Sequence, residues 1–96
     1  MLRILIVEDE DIIRKGLVYT TDWLSMDCVV VAEAANGQEG YEKILEYRPD
    51  VVIADIYMPY LDGIEMIEKA SETVHFKGIL PFSKLHRCHS QRLQRV

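Results

Sequence analysis

The chain has little that could hold it together covalently. Two cysteines among 96 residues, Cys28 and Cys88, make no disulfide framework, so reduced thiols are expected, and with them a cytoplasmic protein. No apolar run approaches the roughly 20 residues that a membrane-crossing helix needs, and no membrane partner is expected. The apolar stretch from Ile4 to Val7 is closed at once by Glu8-Asp9-Glu10-Asp11, which argues against a signal peptide. Acid is missing from the end of the chain. Residues 1–80 carry seven bases against sixteen acids, a balance of −9, and the last acid is Glu72. Residues 81–96 carry Lys84, Arg87, Arg92 and Arg95 and no acid, a balance of +4. Such a tail can touch nucleic acid, but four bases without interleaved aromatics read more plainly as solvated. His86, Cys88 and His89, with Cys28, do not meet the spacing of a structural zinc site. There is no internal repeat and no low-complexity segment.

What is present suits one small globular domain, with 49% apolar residues and a core of little margin at this size. The organising stretch is Val51 to Gly63. Val-Val-Ile-Ala runs straight into Asp55. An apolar run without polar alternation suits a parallel strand covered on both faces. A lone ionised Asp is costly to bury inside it, but it fits the strand's carboxyl end, where open α/β sheets place their ligand crevices. Pro59 and Asp62-Gly63 then mark an irregular loop.

The same logic runs along the chain. Leu2 to Val7 reads as a buried strand ending on Glu8 and Asp9. A helix is expected from near Asp9–Asp11 to about Tyr19, with Ile12, Ile13, Leu17 and Val18 near helical spacing. Thr20 to Asp27 is a polar connection in which Trp23 is expected to pack. Val29 to Ala34 reads as a second strand. Asn36 is an N-cap candidate for a helix over Gln38–Tyr47, with Tyr41, Ile44 and Leu45 inward, stopped by Arg48-Pro49-Asp50. The third strand is Val51–Asp55. A third helix follows from Ile64 to about Ser71, with Ile64 and Ile67 inward, and a fourth strand spans Val74 to Leu80. Strand and helix alternate, which implies right-handed crossovers and a doubly wound parallel α/β sheet. Strand order 2-1-3-4 makes the first and third strands neighbours, so that their acids meet. Beyond Pro81 the pattern fades: Leu85, Cys88, Leu93 and Val96 fall loosely on one helical face, and no fifth strand is visible.

Glu8, Asp9 and Asp55 should therefore converge at one edge of the sheet. Acids after a strand often do no more than favour a helix N-terminus, and Asp62-Gly63 has the look of a structural turn. Three carboxylates at close range, however, repel, and a hard divalent cation with oxygen ligands relieves the repulsion. Mg²⁺ suits a site with one or two carboxylates that also binds a phosphate. Phosphoryl transfer fits this chemistry, with a carboxylate attacking phosphorus to give an acyl phosphate. Asp55 is the candidate nucleophile. Asp9 is a candidate direct ligand, Glu8 a ligand through water, and the backbone carbonyl of Tyr57 a further ligand. The side chains of Tyr57 and Tyr60 read as loop surface or partner contacts.

Ile-Leu-Ile-Val-Glu-Asp-Glu at 4–10, Asp55 after Val-Val-Ile-Ala, and Met58-Pro59 with Asp62-Gly63 together resemble the receiver domain of two-component response regulators, over about residues 2–80. Asp22-Trp23 and Ala-Glu-Ala-Ala-Asn-Gly at 32–37 are similar to receivers that precede AraC-type helix-turn-helix output domains. The resemblance implies a flavodoxin-like receiver fold in residues 1–80. It implies that Asp55 accepts phosphate from a sensor histidine kinase, with Mg²⁺ held by Glu8, Asp9, Asp55 and the Tyr57 carbonyl. It also implies a domain that catalyses its own phosphorylation and dephosphorylation without being a turnover enzyme. The output, transcription, would reach DNA only through an output domain absent from these residues. The family has a Ser or Thr at the end of the fourth strand to grip the phosphoryl group; here Pro81-Phe82 stand there, and Ser83 is the candidate phosphate contact. Lys84 comes too early to be the family's lysine, which ends a fifth strand. Residues 81–96 are expected to be an atypical basic tail arising from a reading-frame error, a cloning scar or a truncation, so that the fifth strand and last helix are lacking. An exposed fourth strand then invites a homodimer or swapped oligomer. Two other readings stand beside the receiver. One is a Mg²⁺-dependent phosphohydrolase with an Asp nucleophile, disfavoured because its second acid would fall at Tyr57. The other is an interaction module that has lost phosphorylation.

Overall fold

The computed structural model describes residues 1–58 and 60–80. Pro59, Ser83, the basic tail with its expected helix, the His86/Cys88/His89 group and the expected lack of a fifth strand and last helix all lie outside the described residues. Within them, β1 (Leu2–Val7), α1 (Asp11–Thr20), β2 (Cys28–Ala34), α2 (Gly37–Tyr47), β3 (Val51–Ala54), α3 (Gly63–Ser71) and β4 (Lys77–Ile79) alternate along the chain. The four strands form one parallel sheet in the order β2-β1-β3-β4, the expected doubly wound arrangement.

Alternate residues of the central strands serve opposite faces. Leu5, Val7, Val52 and Ala54 join Ala34, Ile44, Ile56, Met66 and Ala70 in the larger core, under α2 and α3. Ile4, Ile6 and Cys28 lie on the other face with Leu17, Val18 and Trp23, under α1. The Trp23 ring packs as expected, and its indole N–H donates to the carbonyls of Leu17 and Val18, each at 3.2 Å. In α2, Ile44 is fully buried, with Tyr41 and Leu45 packed against the same core. The helix opens where the sequence places it: Asn36 Oδ1 accepts from Glu39 N at 2.8 Å. It closes at Arg48, held in the left-handed region at φ 47°.

Two local readings need correction, at Ile12 and at β4, and two others gain detail. Ile12 is 89% exposed: the residues of α1 that pack on the sheet are Leu17 and Val18, and Arg14 is the buried residue of the helix. The Thr20–Asp27 connection contains a 3-10 turn at Leu24–Met26, closed by Asp27 N donating to Leu24 O at 3.0 Å. In α3 the deeply buried line is Gly63, Met66 and Ala70, while Ile64 and Ile67 pack on its flanks. β4 is three residues long instead of seven, because Val74 N is committed to Ala70 O at 3.0 Å, closing α3, and the strand ladder begins only where Lys77 N donates to Asp50 O at 3.0 Å.

Met66 has no exposed surface and sits centrally between α3, α2 and the sheet. Met66→Ala removes a buried side chain from a site with little room to collapse, so unfolding stability in urea should fall by about 2–5 kcal/mol. Ile12→Ala should stay within about 0.5 kcal/mol of the parent, as exposed substitutions do. Equal losses for the two variants would contradict this packing.

Candidate functional site

Parallel pairing of β1 with β3 builds the site. Val7 stands opposite Ala54, so the next residue of each strand, Glu8 and Asp55, leaves the sheet at the same edge. Two further bonds keep the strand ends in line: Glu8 N donates to Ala34 O at 3.0 Å, and Asp55 N to Val7 O at 3.2 Å. The sequence-predicted acids do meet. Glu8, Asp9 and Asp55 each present a carboxylate oxygen, and these oxygens lie within 4.8 Å of one another. Glu8 is 5% exposed and Asp55 4%, and both Asp55 carboxylate oxygens are shielded from solvent.

Like charges at that separation repel by on the order of 3 kcal/mol per pair at an effective dielectric of about 20. Part of the opposition is met locally. Glu8 Oε2 accepts from Glu10 N at 2.9 Å, so Glu8 also serves the start of α1, whose N-cap residue Glu10 contributes no side-chain cap of its own. The helix-capping and cluster readings of Glu8 are thus both true. An all-oxygen donor set carrying this much negative charge suits a hard divalent cation.

The loop after β3 frames the site. Asp62 and Glu65 form a capping box: Asp62 Oδ1 accepts from Glu65 N at 2.9 Å, and Glu65 Oε1 accepts from Asp62 N at 3.3 Å. The acid of Asp62-Gly63 is therefore structural. Gly63 N donates to Ile56 O at 2.8 Å. A Cβ on Gly63 would stand 2.0 Å from the Asp55 carbonyl oxygen, and one on Gly37 1.6 Å from that of Leu61. The loop is gripped at both ends by backbone contacts that leave no room for a side chain. The Tyr57 and Tyr60 side chains face solvent, and Tyr60 adopts φ 73°.

Arg14 escaped the sequence reading. It is 9% exposed and donates from Nη1 to Glu8 O at 2.8 Å, from Nε to Glu33 Oε1 at 3.2 Å, and from Nη2 to the Asp11 carboxylate. Burial alone pulls its pKa down. The hydrogen bonds and charges of Asp11 and Glu33 outweigh that, and the net direction is upward. The signal for it was available: a base at position 14 falls on the same helical face as Ile13, Leu17 and Val18.

Comparison with known proteins agrees with this geometry. A transcriptional regulatory protein of Bacillus subtilis, YesN, itself uncharacterized, is 42% identical over 71 residues, covering 74% of this chain and 19% of that protein. A protein-glutamate methylesterase/protein-glutamine glutaminase of Nitrosospira multiformis is 37% identical over 73 residues, covering 76% of this chain and 20% of that protein. The chain thus spans about a fifth of the length of these curated relatives. Among solved structures, the REC domain of AraT, a response regulator from Geobacillus stearothermophilus, superimposes with a TM-score of 0.78 at 34% identity, covering 98% of this chain and 74% of that one. Residues 4–81 match the response regulator receiver domain family. With its strand order, its acid edge and this match in agreement, the chain belongs to the receiver domains of two-component response regulators.

Proposed function

We propose that Asp55 is a phosphoacceptor and that Glu8, Asp9, Asp55 and the backbone carbonyl of Tyr57 hold Mg²⁺ beside it. The observation that carries this reading is the convergence of three carboxylates, two of them buried, at the carboxyl edge of a parallel sheet. Bound Mg²⁺ would supply charge neutralisation of the phosphoryl oxygens. The chain's own part is positional. β3 delivers Asp55 to the edge, and the backbone grip on its loop holds the carboxylate in place. In the transfer, a carboxylate oxygen of Asp55 forms a P–O bond as the P–N bond to a donor histidine breaks, and the electron pair returns to the imidazole. The donor is a sensor histidine kinase, the reading that membership of the receiver family supports.

Residues 1–80 form the signalling unit in this proposal, and 81–96 a separate basic tail. The protein is placed in the cytoplasm, in keeping with free Cys28 and with the finding that no helix among the described residues is long and apolar enough to cross a membrane. Transcription is the proposed output, as the name of the Bacillus relative suggests. Residues 1–80 carry sixteen acids against seven bases, a balance that disfavours contact with DNA, so DNA binding would fall to an output domain. A methylesterase output, as in the Nitrosospira relative, would likewise need a catalytic domain beyond these residues. Turnover hydrolysis is disfavoured because the loop offers Tyr57 where an Asp-nucleophile phosphohydrolase would carry its second acid.

We also propose self-association. Among the described residues β4 pairs only with β3, and Ile79, on the same face as Ile53, is 38% exposed. A strand edge with no second partner among the described residues, beside exposed apolar surface, favours pairing with a second copy. Light scattering at micromolar concentration should then give a dimer or larger, and a stable monomer would reject the idea.

Incubation with Mg²⁺ and a small acyl-phosphate donor tests the chemistry. Intact mass should show one phosphoryl adduct per chain, stable in acid and labile in base. It should disappear in Asp55→Asn and on chelation of the metal. Sustained phosphate release would instead favour a hydrolase, and the absence of an adduct an interaction module.

A further inference from the structure

A buried cation needs a reason, and Arg14 is the only buried base among the described residues. Its guanidinium ties three parts of the fold together. Nη1 reaches the Glu8 carbonyl at the end of β1, Nε the Glu33 carboxylate on β2, and Nη2 the carboxylate of Asp11 at the start of α1. Glu33 is there because β2 is irregular. Ile4 pairs with Val30 but Leu5 with Ala32, so Val31 is an extra residue in the ladder. Beyond it, Glu33 pairs with Ile6, a residue of the α1-side core. Without the extra residue Glu33 would stand opposite Val7, which serves the other face, because a slip of one residue turns every later side chain over.

The carbonyl that Arg14 holds belongs to the peptide joining Glu8 to Asp9. A peptide is planar, so fixing its oxygen also fixes the direction in which the Asp9 Cα leaves it. Asp9 is the member of the acid cluster that is only half-buried, so packing restrains it least. We propose that Arg14, kept in place by Glu33, is a positioning residue for the acid cluster, and that it sets the cluster's affinity for a divalent cation by fixing the Glu8–Asp9 peptide. The inference rests on the cation reading above.

Calorimetric titration of the whole chain with Mg²⁺ alone tests it, at a temperature well below the thermal midpoint of each variant. Wild type should bind. Arg14→Met should bind about tenfold more weakly or worse, the scale on which groups that orient metal ligands act. Arg14→Lys should recover part of the loss, since one ammonium can serve the Glu8 carbonyl but cannot reproduce the planar fork. Glu33→Ala should weaken binding in the same direction by a smaller factor. A folded Arg14→Met with wild-type affinity overturns the inference while leaving the cation reading intact. If Arg14→Met does not fold, unchanged affinity in Glu33→Ala overturns it equally. A wild-type chain that takes up no Mg²⁺ overturns the cation reading itself, and the inference with it.

Discussion

The carboxyl edge of this domain depends on one pairing, β1 alongside β3 in parallel. Hydrogen bonds between these strands set Val7 against Ala54, and that register alone decides that Glu8 and Asp55 emerge as neighbours. A shift of a single residue would turn the apolar side chains of one strand to the wrong face. The hydrophobic core therefore enforces the geometry of the acids, although none of the acids belongs to it.

Such an edge works against stability. Burying a carboxylate is unfavourable unless hydrogen bonds or opposite charge accompany it, and here two are buried side by side. The surrounding fold supplies a backbone donor to the Glu8 carboxylate, and a buried guanidinium, satisfied by two other carboxylates, holds the Glu8 carbonyl. Local strain of this kind is expected where a fold serves chemistry, because the rest of the core can support it.

Much of this was legible in the sequence because the signals were local or strictly periodic. The boundaries of β1, the N-cap at Asn36 and the strand order follow from apolar runs, turn residues and the need for acids to meet. The convergence of Glu8, Asp9 and Asp55 follows from the same topology. What escaped depended on tertiary detail. Ile12 fits a helical pattern as well as Leu17 and Val18 do, and only docking of α1 decides which residues face the sheet. β4 proved short because Val74 hydrogen-bonds back into α3, a competition between two elements that no window of sequence displays. Arg14 lies on the apolar face of α1 and could have been marked there, but its pairing with Glu33 depends on an irregularity in β2, and the extra residue at Val31 has no mark in composition or propensity.

The loop between β3 and α3 touches its surroundings at both ends through bare peptide groups, Asp55 against Gly63 and Leu61 against Gly37. A side chain at such a contact would act as a spring, changing rotamer to absorb a displacement. Peptide against peptide has no such compliance. At Gly63 a displacement of the Asp55 backbone would press directly on the first turn of α3, with no side chain between them.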